Sequence, residues 1–592
     1  MTVDDLDFVI RHNMPRNAPG SLDSKTYTDI LAYVLQQNGY TAGSEPLMAG
    51  SRAMKKTPLR FTAAAAQAMP APPQRIQGEP DAVPRGGGPT QQQLDNAAAS
   101  TRDWLYQTHD YDGSRYAPLS QINVENAGKL RAVCAFQTGG KGAYQTHPIE
   151  YRGTIYITTL NMTFALDASN CRPKWKYTWT PRAHEVWNRN RGVAIKDGYV
   201  VRGTSDGYLL ALNAATGKLV WAVRAADSSV GQTFTMAPLI YRNLVIIGPA
   251  GSENGISGWV GAFRLKDGSP VWTFHTVPGA TRKGSKTWGN PHGIKLGGGA
   301  VWTPFTLDTR RGILFVAVTN PAPDLPAKMR PGANLYTNSV IALDIHTGKL
   351  LWYRQMVPND SHDWDLTQVS PLFRARVDGR MQDLLTTVGK DGILRTLNRR
   401  NHKVLYATPV TTLKNTKLPV TSEPVTVCPG VLGGVEWNGP ALSRPLNMLY
   451  VNAVDWCSTF SASHAVRYIP SKLYMGGNTV FEKSSQGWLT AIHASTGKVA
   501  WKYRSDRPMV SAVTATQGNV LFTGDLDGNF LVFDARNGKI LYRFNTGGSI
   551  GGGVMTYADH GKQYVAVTSG TPSAFWVNQY PGAPTLFLFA LP

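Results

Sequence analysis

The sequence predicts an all-β fold, an eight-bladed β-propeller preceded by a short helical N-terminal appendage and a flexible linker. Three observations carry that prediction. First, the stretch Ala211 to Trp221 (ALNAATGKLVW) recurs as Ala342 to Trp352 and Ala491 to Trp501. Weaker copies run Ala165 to Trp175, Ala262 to Trp272, Thr396 to Tyr406 and Val532 to Tyr542. Second, with Leu130 to Phe136 read as a degenerate copy ending at Cys134, the endings fall at 134, 175, 221, 272, 352, 406, 501 and 542. Most gaps are 41 to 54 residues, the length of four short strands with their turns and the period of a propeller blade. The gaps of 80 and 95 residues read as blades with insertions, within 273–351 and 407–500. Third, each copy enters a polar Thr-Gly or Asn-Gly turn and leaves it toward an aromatic ring. The turn needs a residue free to take positive φ, as Gly217, Gly348, Gly497 and Gly538 are. The ring offers each sheet a large apolar surface to press on its neighbour.

Composition bounds the rest. With 592 residues, 42% of them apolar, the chain can bury a large core. A formal charge of +21 suggests an acidic partner, yet the basic residues are spread out and no stretch resembles a nucleic-acid-reading module. An acidic redox partner or a membrane surface fits that charge better. No run of about 18 apolar residues occurs, so no transmembrane span is expected.

Four cysteines stand at 134, 171, 428 and 457, none in a C-x-x-C pair, which argues against zinc and against a covalently attached c-type haem. Cys134 and Cys171 end adjacent blades and Cys428 and Cys457 share one, so bridges 134–171 and 428–457 are plausible. Four buried free thiols in a cytosolic protein is the alternative. Disulfides would place the chain outside the cytosol. The first residues, Met-Thr-Val-Asp-Asp, lack the basic and apolar regions of a signal peptide.

Taken in order, residues 1–48 form the first segment. Tyr27 to Asn38 has helical apolar spacing and stops at Gly39. With Asn13-Met14-Pro15 upstream, it resembles the C-terminal half of a c-type cytochrome domain, which would make Met14 a haem ligand. The attachment motif Cys-x-x-Cys-His is missing, so haem c is expected only if a longer gene product completes that domain. An ordinary amphipathic helix with a loop is the alternative reading. Residues 49–100 read as a linker, rich in Ala, Pro, Gly and Gln from Thr62 on. The propeller is expected over 101–592.

Three stretches leave the repeat and place acid or amide groups near turns: Gly251-Ser252-Glu253-Asn254-Gly255, Val318-Thr319-Asn320-Pro321-Ala322-Pro323, and Ser361-His362-Asp363-Trp364-Asp365-Leu366. Carboxylate and amide oxygens are ligands for a hard cation such as calcium. The inner strands of successive blades converge on one axis, so such distant groups can meet there.

From Trp104 on, the chain resembles the pyrroloquinoline-quinone (PQQ) dependent alcohol dehydrogenases. Asp103 to Leu130 (DWLYQTHDYDGSRYAPLSQINVENAGKL) looks like their opening, and the resemblance runs about 490 residues, through VLFTGDLDGNFLVFDARNGKILYRFNTG and GKQYVAVTSG near the end. It implies an oxidoreductase that takes an alcohol to an aldehyde or ketone with PQQ and calcium and passes electrons to a separate cytochrome c. Such an enzyme works in the periplasm. By motif, Glu253 and Asn320 would bind calcium, with Asp365 the catalytic base and also touching the metal. Trp302 would be the floor under the quinone ring, and Lys390 the cation at the quinone carbonyl. Arg191 in Asn190-Arg191-Gly192 would hold a quinone carboxylate, a bidentate task suited to guanidinium. Thr235, Gly251 and Ser252 match further quinone contacts, and Gln145 stands near the place of a ring-contacting glutamate.

The chain also departs from the pattern. Glu185 and Val186 replace two adjacent disulfide-linked cysteines that form a lid over the quinone. Ser257, Ala300 and Glu436 replace an arginine, a threonine and an asparagine. Lanthanide-using relatives carry an extra aspartate two residues beyond the base, where this chain has Thr367, so calcium is expected. The competing class is a non-catalytic propeller scaffold of the outer-membrane assembly type, which shares the Ala-x-Asp-x-x-Thr-Gly repeat.

Overall fold

The structure is a computed structural model; it describes residues 2–15, 20–44, 46–59, 74–289, 293–573, 575–576 and 582–592. The chain folds as a β-propeller. Among the described residues are nine sheets, and eight of them carry the four-strand antiparallel order expected of a blade. Each repeat except the degenerate copy at Leu130 to Phe136 forms the two outer strands of one such sheet. In the Trp221 sheet, for example, Tyr208–Asn213 pairs with Leu219–Arg224, and Ala211 faces Trp221 across the ladder. The sheet holding Cys134 joins the two ends of this architecture, since Arg131–Gln137 pairs with the last strand, Thr585–Ala590.

The aromatic endings do what their spacing suggested. Trp175, Trp221, Trp272 and Trp501 lie against the turn glycines of the next sheet, Gly217, Gly268, Gly348 and Gly538. Their indole Nε1–H groups donate to carbonyls of the same turns, those of Ala214, Leu265, Ile345 and Ala535, at 2.9 to 3.1 Å. Each ring thus buries its face and satisfies its one donor at the same seam. Two seams depart. Trp352 stacks on His402, which takes φ +60 in the glycine position, with ring centroids 4.2 Å apart. At the first seam Cys171, at φ +62, holds the turn position and is bridged to Cys134.

Both expected bridges form, Cys134–Cys171 with a Cα–Cα distance of 6.1 Å and Cys428–Cys457 with 4.4 Å. The long interval 407–500 does more than lengthen a blade. It builds the ninth sheet, of Val425–Val427, Ser458–Ala462 and Gly477–Phe481, beside its own four strands.

The expected linker, 49–100, is structured on both sides of residues 60–73, which lie outside the described residues, and its first part holds a short helix, Arg52–Lys56. Arg75–Gln77 adds a fifth strand to the Trp221 sheet, with Ile76 opposite Ala222, and Gln91–Asp95 is a short helix with a Thr90 capping box. The N-terminal segment holds the expected helix as Ser24–Gln37, capped by Asp23, and a further helix Val3–Asn13. Val3, Ile10, Tyr27, Leu31, Leu35 and Met54 close a small core between them. Met14 is half-exposed, and its carbonyl accepts the Tyr27 hydroxyl at 2.7 Å. No helix among the described residues is long and apolar enough to cross a membrane.

Candidate active site

The site is assembled from ends of inner strands. Glu253 sits on a single helical turn, Ser252–Asn254, between Gly251 and Gly255. Gly251 has φ +120, and a Cβ there would collide with the Gly231 carbonyl, so only glycine allows this tight approach. Asn320 follows the strand Ile313–Ala317. Asp365 precedes Leu366–Gln368, and Lys390 follows Arg380–Gly389. Because Leu366 pairs with Gly389, the register sets Asp365 and Lys390 side by side, and the Lys390 N–H donates to the Asp365 carbonyl at 2.9 Å.

The turn before Asp365 is pinned by Asp360, whose carboxylate accepts from the His362 and Trp364 N–H groups at 3.0 and 2.8 Å. Asp363, inside that turn, takes φ +58, a conformation Asp tolerates better than most residues. Its carboxylate thereby joins those of Glu253 and Asp365, with one oxygen from each within 4.8 Å of the others. Lys390 Nζ lies 3.0 Å from both Asp363 and Asp365. The Asn320 backbone N–H donates to Asp365 at 3.1 Å.

Several buried oxygens around this cluster find no hydrogen-bond partner: Asn320 Oδ1, Asp363 Oδ1 and both carboxylate oxygens of Asp324. A buried acceptor without a partner costs about 1–3 kcal/mol, more for an ion. Oxygens so placed are the donor set of a hard cation. Electrostatics agree. Burial, and then the neighbouring Asp365 charge, push the Glu253 carboxyl up. Burial raises Asp363 well above the usual carboxylate range against the pull of Lys390, and burial with Glu253 does the same to Asp324. For Lys390 burial works downward, but Asp363 and Asp365 outweigh it and hold the ammonium well above its usual value. The acids outnumber the one ammonium, and the balancing charge is what a metal ion supplies.

These groups line one end of a cavity whose walls carry both charged and aromatic side chains. Trp302 and Trp437 bound it, with Arg191 between them, its guanidinium carbon 4.6 Å from the Trp302 ring and 5.0 Å from the Trp437 ring. Arg191 donates to Thr235 Oγ1 at 2.9 Å and keeps a buried Nε without partner. Its burial, with Arg189 adding like charge, holds the guanidinium well below its usual value. Among the described residues neither Arg189 nor Arg191 makes an ion pair. Two cations set against indole rings, Arg191 at Trp302 and Trp437 and Arg189 at Trp187, fit a flat, multiply charged anion of the PQQ kind.

Of the residues singled out from sequence, Glu253, Asp365, Lys390, Arg191, Thr235, Gly251 and Trp302 all line this cavity. Asn320 lies buried behind it, against Asp365. Ser252 acts one layer back, its hydroxyl accepting from the Ala300 N–H at 2.8 Å and pairing with Thr319 at 2.9 Å. Gln145 is not brought in. It is fully buried and donates to the Pro572 carbonyl at 2.8 Å, and it is not among the lining residues. In place of a cysteine lid, Glu185 accepts from Ser205 at 2.6 Å and Trp187 reaches the cavity, its indole donating to Asn254 at 2.6 Å.

Sequence reasoning missed Asp363, Asp324, Arg189, Trp187 and Trp437. Asp363 had a signal, since it stands two residues before Asp365 in the same short acidic stretch. The others are defined by what surrounds them in space.

Residues 104–414 match the family described as glucose/ethanol/alcohol dehydrogenase, beta-propeller domain. Residues 455–574 match the outer membrane protein assembly factor BamB model. The quinoprotein alcohol dehydrogenase PedH of Pseudomonas putida is 30% identical over 508 residues, 77% of this chain and 84% of the relative. The quinoprotein ethanol dehydrogenase of Pseudomonas aeruginosa is 30% identical over 550 residues, 81% of this chain and 88% of the relative. Among solved structures, a europium-containing methanol dehydrogenase superposes with a TM-score of 0.79 at 27% identity, covering 84% of this chain and all of the other.

Proposed function

The chain belongs to the PQQ-dependent alcohol dehydrogenases, and from that premise we propose how its residues work and what they require. The observation that carries the proposal is the convergence of Glu253, Asp363 and Asp365 within 4.8 Å, beside the unpartnered amide oxygen of Asn320. When bound, PQQ supplies the hydride acceptor and a metal ion supplies Lewis-acid polarisation of its carbonyl. Asp365 is the base that takes the alcohol's hydroxyl proton. Lys390, held charged by two carboxylates, keeps an ammonium at the place where negative charge develops. Trp302 gives the quinone a flat floor, and Arg191 and Arg189 hold its carboxylates. Glu253 and Asn320 bind the metal, with Asp365 at its edge. Electrons leave to a separate cytochrome c, and two disulfides support a periplasmic setting.

We take the metal to be calcium, a hard cation suited to carboxylate and amide oxygens. One observation favours a second reading, a trivalent lanthanide. Asp363 adds a third carboxylate from the chain side opposite Thr367, the position where lanthanide-using relatives place theirs.

Two measurements test this. Dye-linked alcohol oxidation by Asp365→Asn should fall by about 10²–10⁴ with PQQ binding intact, the range of a lost general base. Glu253→Ala should lose turnover together with metal-dependent PQQ binding, read by quinone absorbance. Near-normal turnover in either variant removes that residue from the mechanism. Reconstitution with calcium against lanthanum, scored by PQQ retention, decides between the two metals.

A further inference from the structure

Next to the reaction cavity lies a second chamber. The two share walls: Leu473, Met475, Thr479, Phe481 and Phe575 line both. Four of these come from the 407–500 interval. The far wall comes from outside the propeller. Phe8 and His12, on the helix Val3–Asn13, stack with ring centroids 3.9 Å apart and complete the chamber. That helix is fixed to the same interval by Arg467, which pairs with Asp4 at 2.8 Å and also with Asp5.

The chemistry changes from one end to the other. The inner end holds Asp365, Lys390 and the metal-site carboxylates. Among the lining residues of the outer chamber there is no carboxylate, and its one permanent charge, Arg467, is engaged by Asp4 and Asp5. The remainder is mainly aromatic and aliphatic, with Phe8, Val466, Leu473, Met475 and Phe481 prominent. A ligand spanning both spaces therefore carries a hydroxyl at one end and an apolar body at the other.

We propose that the outer chamber is a substrate subsite and that the enzyme's preferred substrates are alcohols with an extended apolar arm, not methanol or polyols. This rests on the dehydrogenase reading above. The arm lies among Val466, Met475 and Phe481 under the N-terminal helix, so residues outside the propeller set specificity. Each buried methylene favours the longer alcohol by roughly fourfold, from ~0.8 kcal/mol of transfer free energy.

The test compares kcat/KM for ethanol and 1-octanol in the full chain reconstituted with PQQ and metal. Wild type should favour 1-octanol by at least about tenfold, the gain from a few buried methylenes. Val466→Trp, which fills the outer chamber, should lower kcat/KM for 1-octanol about tenfold or more and leave ethanol within about twofold, the pattern of lost distal binding. Phe8→Ala, which removes the far wall without adding bulk, should shift 1-octanol in the same direction. Equal effects on both alcohols, or no preference for 1-octanol, overturn the proposal. A second readout needs no turnover: calorimetric titration of 1-octanol into quinone-free protein should show binding that Val466→Trp weakens, and no binding by wild type overturns the subsite. If no alcohol is oxidised although 1-octanol binds, the dehydrogenase reading fails and the chamber stands.

Discussion

Glu436 is a buried carboxyl whose surroundings oppose its charge. It replaces the asparagine of related enzymes and lines the reaction cavity. Burial pushes its carboxyl up to about 7, against the pull of Lys390. A carboxyl raised on folding binds its proton more tightly in the native state than in the unfolded one. The native state is therefore most favoured below the unfolded pKa near 4.5, and that advantage is lost as pH rises through about 7. The quinone-free, metal-free protein should lose stability over this window, and Glu436→Gln should abolish that part of the loss, at most about 3 kcal/mol. Thermal unfolding of both proteins at pH 5 and pH 8 checks this, and identical pH dependence refutes it. Position 436 was visible in the sequence only as a departure from a motif. Its titration is set by burial first, and then by Lys390, Asp365 and Arg191, which reach it from elsewhere in the chain. Asp363 shows the same limit more mildly: its spacing was legible, but its inward turn depends on a left-handed backbone pinned by Asp360. Gln145 fails for the converse reason, since a motif position says nothing of the Pro572 carbonyl that claims its amide.

At the scale of elements, the turn that opens each outer hairpin is the unit that repeats. Gly348 has φ +69, and a Cβ there would stand 2.5 Å from the Trp272 ring. Gly348→Ala should cost about 2–4 kcal/mol, the left-handed penalty added to overpacking at the seam. Gly379 also lies in the left-handed region, at φ +75, but a Cβ there meets nothing within 4 Å. Gly379→Ala should cost only the backbone share, about 1–2 kcal/mol. Chemical denaturation of the two variants separates the contributions, and equal losses would show that the seam carries no packing strain. The turn and the ring were each readable because both lie in one eleven-residue stretch with fixed chemistry, whereas the seating of each ring on the next repeat's glycine depends on how neighbouring sheets pack. The fifth strand Arg75–Gln77 was not readable, for its pairing is dictated by the open edge of Leu219–Arg224 and not by its own composition. The ninth sheet was hidden likewise, as three short strands scattered through an interval without the repeat.

For the whole molecule, the decisive join is the sheet that holds both the early strand Arg131–Gln137 and the last strand Thr585–Ala590. Every contact that keeps this sheet on its neighbours also keeps the two ends of the propeller together. On one side Tyr542 meets Phe589 of this sheet, with ring centroids 6.4 Å apart. On the other side the usual ring on glycine is replaced by the Cys134–Cys171 bridge, in the ring's place and the glycine's place respectively. Closing a loop over a sequence separation of 37 residues is worth about 3–4 kcal/mol in the chain-entropy account. Replacing both cysteines with alanine should lower stability by about that amount, read by denaturant midpoint. Replacing them with the pair the other seams use, Cys134→Trp with Cys171→Gly, should recover part of the loss and make that seam insensitive to reductant. A double alanine variant as stable as wild type would show that strand pairing alone holds the join. Loss without recovery in the Trp–Gly variant would show that the covalent link, rather than packing at the seam, secures the sheet on which the cavity's geometry depends.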